Sequence, residues 1–387
     1  KVIDANGHST EMKFDTINNV MLEEKDANEN VAKYEYNIIG LLIKKIDKDG
    51  LITEYSYDDV NRIKEQKLPT GESITYTYDN NDNVLKLESN SGRNYEYQYD
   101  KTNNVIKIID AMGNEQTISH DKTGNIENVT DVNGAISKYT YNSMGQVIQA
   151  QNQLSNIEKF EYDVNGNQTK YIDFNGNETA YEYDSLNRIN KKIDALGNTT
   201  SYKYDSVGNL IEEIDALGNS TKTEYTNNNQ VTKIINANGN VCELQYDKVG
   251  NNTVTIDGNG NKVILEYDNE DNLIKATNAE GTITNYEYDP MGRMTAVYDN
   301  IGNRMDYTYE NGRLIKLQDN TGRTIEYQYD LAGNVTQVKN YDDTISKYEY
   351  DLLNRLVKFT DLEGKATIFE YDVKGNLISK TDSTERI

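Results

Sequence analysis

The sequence predicts an all-β protein: tandem antiparallel β-hairpins joined into one long ribbon that curves and spirals. Three observations predict it. One hairpin-sized phrase returns every 21 residues or so through all 387. Apolar and aromatic residues stand in columns two residues apart, the period of a strand face. Each repeat carries two reversals of the form D-x-x-G.

The phrase "YKYDSVGNLIEEIDALGNSTKTEY", from Tyr202 to Tyr225, shows the plan. The Asp after the paired aromatics serves as a ruler. It stands at Asp58, Asp79, Asp100, Asp121, Asp163, Asp184, Asp205, Asp247, Asp268, Asp289, Asp330, Asp351 and Asp372. Asp15 begins the series, and Asn37, Asn142, Thr226 and Glu310 fill the same column. That gives 18 registers spaced by 21, except 22 after Asp15 and 20 after Glu310. No long linker interrupts them, so residues 1–387 read as a single continuous array, and as a piece of a longer protein.

The first strand ends on two aromatics. The residue before the ruler is Tyr in 16 of the 18 registers, with Phe14 and His120 as exceptions. Another aromatic stands two residues earlier, giving pairs such as Tyr181 and Tyr183, Tyr202 and Tyr204, Tyr286 and Tyr288, Tyr307 and Tyr309, and Tyr327 and Tyr329. These pairs are the structural columns of one strand face. Five residues after the ruler an apolar column opens the second strand, as at Ile189 and Leu210. Runs this short and β-rich are strands.

The reversals come next. Asp184 and Asp205 with Gly208 open the ruler turns; Asp194 with Gly197 and Asp215 with Gly218 form the second turns. An Asp at the first position accepts hydrogen bonds from backbone N–H groups just ahead, and Gly at the fourth accepts positive φ and often a bulge. Asn replaces Gly at Asn61, Asn187 and Asn354, being the next most tolerant residue there. A parallel β-helix is the competing reading, but two tight reversals per period fit poorly into a one-way coil. Eighteen hairpins make about 36 strands, a row that twist forces to curl. Its apolar columns suggest one well-packed face.

Composition narrows function. With 40 Lys plus Arg against 64 Asp plus Glu, the net charge of -24 argues against nucleic acid or an anionic membrane as partner. No apolar run reaches membrane-span length. One cysteine, Cys242, excludes an intrachain disulfide framework and a cysteine metal cluster. His8 and His120 are the only histidines and read as turn and column residues. No catalytic triad, cofactor motif or metal motif stands out; D-x-x-G lacks the alternating oxygen ligands of a Ca²⁺ loop. The turn Asp residues have a repeated structural job, whereas a catalytic site should break the repeat with something unique, and no such break is evident. Arg188, Arg293, Arg313, Arg323 and Arg355 follow turns and can pair across hairpins. Pro290, in Asp289-Pro290-Met291-Gly292, suits the second position of a turn. The aligned tyrosines leave two functional readings open, a structural wall and an adhesion or carbohydrate-binding surface.

The phrases "YEYDSLNRINKKIDALGNTTSYKYDSVGNLIEEIDALGN" and "YEYDPMGRM" resemble the tyrosine-aspartate (YD) repeats of Rhs-family proteins, which also occur in the B and C subunits of insecticidal toxin complexes and in teneurins. The resemblance covers essentially the whole chain. It implies the wall of a hollow spiral shell that encloses or carries a C-terminal toxin in the parent protein, secreted or at a bacterial cell surface. It implies no enzyme and no cofactor. Its partners would be the remaining repeats and the C-terminal region or toxin cargo, or a glycan or other cell-surface ligand on the adhesion reading. The family's core-associated region is not found, the hairpin pattern stopping near "TDSTERI", so this chain alone is expected to be inactive.

Overall fold

In the computed structural model, which describes residues 1–382, each repeat forms two antiparallel strands. Thr199–Tyr204 pairs with Leu210–Ile214, which pairs in turn with Ser220–Tyr225. The hairpin closed by the ruler turn is irregular. Lys203 faces Glu212 while Tyr204 faces Leu210, so Ile211 is the extra residue of a bulge. The same shift falls just before the ruler in repeat after repeat, as at Glu182/Tyr183 and Gln328/Tyr329. A bulge in this place bends the strand and increases its right-handed twist. The hairpin closed by the second turn is regular, with Glu212, Glu213 and Ile214 facing Lys222, Thr221 and Ser220.

Both turns use one loop. The Asp205 N–H donates to the Asn209 carbonyl (3.0 Å) and the Gly208 N–H to the Asp205 carbonyl (3.3 Å); Asp215, Gly218 and Asn219 repeat the pattern. The fourth position is left-handed, with φ of 106° at Gly208 and 81° at Gly218, and Asn187 takes 61° in the same place. The two departures from the period have local causes. Asp15 opens a longer loop in which its N–H reaches the Val20 carbonyl. Glu310 faces Arg313 directly across Asn311-Gly312, both at positive φ, a two-residue hairpin turn one residue shorter than its neighbours can use.

Among the described residues there are 37 strands, and the strand pairs are antiparallel between sequence neighbours, which rejects the β-helix. Two compact units are present. One, residues 117–264, is an unbroken run of hairpins from Thr117 facing Thr130 to Val254 facing Ile264. The other combines residues 1–116 with 265–387. Its first run extends from Val2–Ile3 to Val105–Ile109 and its second from Leu273–Thr277 to Leu377–Asp382.

The expected well-packed face is not what forms. Strands such as Ile136–Tyr141 and Lys262–Tyr267 alternate exposed and half-buried residues, with the tyrosines half-buried. Ala32 and Ala296 are the only buried apolar residues among those described. The accessible surface is 23349 Å², where a compact monomer of 44.1 kDa exposes roughly 15,500 Å². With no second layer over the sheet, each side chain is covered only by its neighbours along and across strands. Stability therefore rests on cross-strand pairs and turn hydrogen bonds.

Candidate functional site

The turns hold the densest chemistry. Asp205 Oδ1 accepts the N–H groups of Val207, Gly208 and Asn209 at 3.0, 2.8 and 2.8 Å, and its Oδ2 accepts the Asn209 side-chain amide at 2.8 Å. Asp215 and Asp194 are held alike by Leu217 with Asn219 and by Leu196 with Asn198. The Asn209 amide, then the N–H groups, hold the Asp205 carboxyl below the usual carboxylate range. Asp184 is lowered chiefly by Arg188. A carboxylate so filled with donors is a weak base and has few lone pairs left for a metal. No group of three or more His, Cys, Asp or Glu residues is placed to hold a metal ion among the described residues.

The fifth loop position is a functional column that sequence reasoning missed. Its signal was present in the frequent Asn after each Gly. Besides capping its own Asp, this residue ties one ruler turn to the next. Asn209 donates to Asn229 Oδ1 at 3.0 Å and Asn167 to Asn187 Oδ1 at 2.9 Å. Where the position is Arg the link is stronger. Arg188 Nε donates to Asp184 Oδ2 (2.7 Å), a terminal nitrogen donates to the Asp205 carbonyl (3.0 Å), and the guanidinium lies 4.6 Å from the centre of the Tyr204 ring. Arg355 does the same with Asp351, the Asp372 carbonyl and Tyr371. These arginines therefore pair within their own turn first and reach the next hairpin through a carbonyl and a ring.

The two tyrosine columns differ. The ruler-adjacent hydroxyls donate backwards to the carbonyl that opens the preceding second strand: Tyr183 to Gln168 (2.7 Å), Tyr204 to Ile189 (2.8 Å), Tyr288 to Leu273 (2.9 Å) and Tyr329 to Leu314 (2.7 Å). Each of those carbonyls belongs to the residue facing the bulge, where the ladder is interrupted. Tyr309 instead lies under the Arg293 guanidinium at 4.8 Å. The other column packs across strands, Tyr181 facing Lys192, Tyr202 facing Glu213, Tyr286 facing Val297, Tyr307 facing Leu317 and Tyr327 facing Val338. Burial raises the Tyr204 hydroxyl and, together with Glu213, that of Tyr202. The structure sets these residues in rows and does not gather them into one pocket. Cys242 is half-buried in Val241–Tyr246, facing Ile234.

One place does break the repeat, against expectation. The turns opening at Leu68 and Ser89 lack Asp. Glu72, only 3% exposed, serves both: its Oε1 accepts the Ser89 and Ser91 hydroxyls at 2.6 and 2.9 Å and pairs with Arg93 at 2.5 Å. Burial pushes this carboxyl up, but Arg93 and the two hydroxyls outweigh it and hold it low. The group is a saturated anion and not a poised base. Two consecutive second turns without Asp, "LPTG" and "SNSG", were the signal.

Within the unit that joins residues 1–116 and 265–387, second turns of the first run meet ruler turns of the second across a seam. The Asn28 amide donates to Asp268 Oδ2 (3.0 Å) and the Ala27 N–H to Glu270 Oε1 (2.6 Å), 240 and 243 residues apart. Lys48 binds buried Asp26 at 2.6 Å, Arg293 pairs with Asp49, and Arg355 reaches Met112 Sδ at 3.3 Å. A cavity of about 320 Å³ lies here, lined by Asp26, Lys48, Glu270, Pro290 and Met291 among others. Pro290 occupies the second position of the turn closed by Gly292 on Asp289.

The Teneurin YD-shell family model matches residues 72–204 and 299–385, and the RHS Repeat model matches residues 204–241 and 267–303. Among solved structures, the chain superposes on that of TcdB2-TccC3-Cdc42 with a TM-score of 0.66 and 12% identity, over 97% of this chain and 23% of that one. For TcdB2-TccC3 without its hypervariable C-terminal region the figures are 0.62, 13%, 97% and 26%. For the Tc holotoxin pore of Photorhabdus luminescens they are 0.53, 14%, 98% and 29%. The likeness is one of fold, and the chain spans about a quarter of the length of these chains. No curated protein sequence matches it.

Proposed function

Since the chain belongs to the Teneurin YD-shell family, we propose that residues 1–387 are one continuous array forming a wall segment of a hollow, non-catalytic shell. The parent protein would be secreted or displayed on a bacterial surface and would enclose or carry a C-terminal toxin. The observation that carries this reading is the seam. Turns about 240 residues apart meet edge to edge, as successive windings of one wall would. The single-layer burial supports it as well, since a wall needs area rather than a core. In this reading the tyrosine columns and the Asp, Gly and Asn of the turns fasten the wall, and Arg188 and its equivalents tie hairpin to hairpin. The structures of fold-related proteins include TcdB2-TccC3 with and without its hypervariable C-terminal region, which supports a cargo at that end.

Small-angle scattering on the purified chain tests the wall. A solid globule of this length has a radius of gyration near about 21 Å; the wall is expected to give a larger value and a hollow-sided profile. A solid profile near that figure would overturn the proposal. In the parent protein, the segment after the array should resist protease until the shell is opened.

A further inference from the structure

The run of hairpins in residues 117–264 carries, unused on both of its edges, the two halves of the contact that the other unit makes with itself. In that seam, apolar residues at the turn tips are partly covered. The Leu331 side chain lies against Gly71 and that of Leu352 against Gly92, and Met112 receives Arg355. These tips are 39%, 50% and 49% exposed. The corresponding tips of residues 117–264 stand free. Val164 is 93% and Val207 70% exposed on the ruler edge, and Leu196 and Leu217 are each 88% exposed on the second-turn edge. Both edges repeat every 21 residues, two strands or about 9.6 Å. Any ruler edge therefore matches the pitch of any second-turn edge, whichever chain supplies it.

The geometry points to these edges as a head-to-tail docking surface for a second copy of this chain, with Val164, Leu186 and Val207 of one copy seated on the Leu196 and Leu217 turns of the next. The seam supplies the template for the contact. The chemistry is more apolar than the template, because Leu196 and Leu217 stand where the seam has Asp49, the partner of Arg293. The two surfaces differ, so the contact is heterologous and leaves a free edge at each end; it builds stacks rather than closed dimers. A net charge of -24 on each copy opposes it, so association should tighten as salt rises.

Sedimentation velocity over a concentration series, at low and high salt, is the test. The expected result is a mean mass that climbs past the dimer with concentration, more steeply in high salt. Combining Leu196→Ser with Leu217→Ser, at tips exposed enough to leave folding intact, should weaken association about tenfold or more. A monomer at every concentration and salt would overturn the proposal. So would association that survives the double variant and disappears with Ile378→Pro in the last strand, which would assign it to pairing of end strands.

Discussion

Replacing Tyr204 by Phe removes one atom and should separate the two tyrosine columns. The Tyr204 hydroxyl donates to the Ile189 carbonyl at 2.8 Å. Ile189 faces Tyr183 at the bulge, so its carbonyl sits where the ladder is broken and the hydroxyl is its substitute partner. The Phe ring keeps the packing and most of the contact with Arg188 at 4.6 Å. What is lost is one half-buried hydrogen bond, about 1 kcal/mol. In an array where each hairpin touches only its neighbours, the effect should be local. Native-state hydrogen exchange is therefore a better assay than a global melt. Amides of Ile189–Ile193 and Thr199–Tyr204 should lose about fivefold protection, while hairpins several repeats away keep theirs. The control is Tyr202→Phe. That ring faces Glu213 and its hydroxyl makes no hydrogen bond among the described residues, so the change should stay within about 0.5 kcal/mol. Equal losses at Tyr202 and Tyr204, or no loss at Tyr204, would refute the bulge-carbonyl argument.

Acid should weaken the array through its turns. Asp184, Asp205 and Asp215 have carboxyls lowered by Arg188, Asn209 and Asn219 respectively. Their contribution is complete above the ordinary carboxylate range, about pH 4, and is lost as pH falls through the lower folded values, so a circular-dichroism melt should be flat from neutral pH to about 5 and drop below about 4. Gly218→Ala should cost about 1 kcal/mol in the same melt, from strain at φ 81° alone, because an added Cβ meets nothing within 4 Å. Gly92→Ala should cost clearly more, since its Cβ would also lie 2.8 Å from Leu352 across the seam. Glu72→Ala strands Arg93 and two serine hydroxyls; a loss of about 2 kcal/mol is expected by denaturant titration, and a neutral result would show that the pair is solvated.

The hairpins were legible because each rests on a few residues close in sequence. An Asp, a residue able to hold positive φ and a pair of alternating columns specify one turn and two strands without help from elsewhere. Tyr204 and Asp205 announced themselves for that reason. The Asn at the fifth loop position was equally local, and only the habit of stopping the motif at Gly hid it. The seam was illegible for the opposite reason. Nothing near Asp49 marks it as the partner of Arg293, 244 residues away; the pairing depends on how twist accumulates over many hairpins, to which every bulge contributes. Burial was misjudged on the same ground. Alternating columns say which residues share a face, but not whether anything packs upon that face.

Missing burial also explains why the turns are so heavily bonded. A two-layer protein gains most of its stability from apolar area removed from water. Here the largest side chains stay half-wet, and no large side chain is fully buried among the described residues. Each added hairpin must therefore offset its own ordering entropy with short-range terms. A filled Asp loop at either end, a hydroxyl on the bulge carbonyl and a link from the fifth loop position to the next turn are such terms, and they recur at the period of the strands themselves. A scaffold stabilised in this way can grow by repetition, because no term requires a distant partner. It can also tolerate a repeat without Asp, as at Leu68 and Ser89, provided that a substitute such as Glu72 refills the turns. The vulnerable repeats are then those whose turns depend on one shared group, and the region around Glu72 should be the first to open under denaturant.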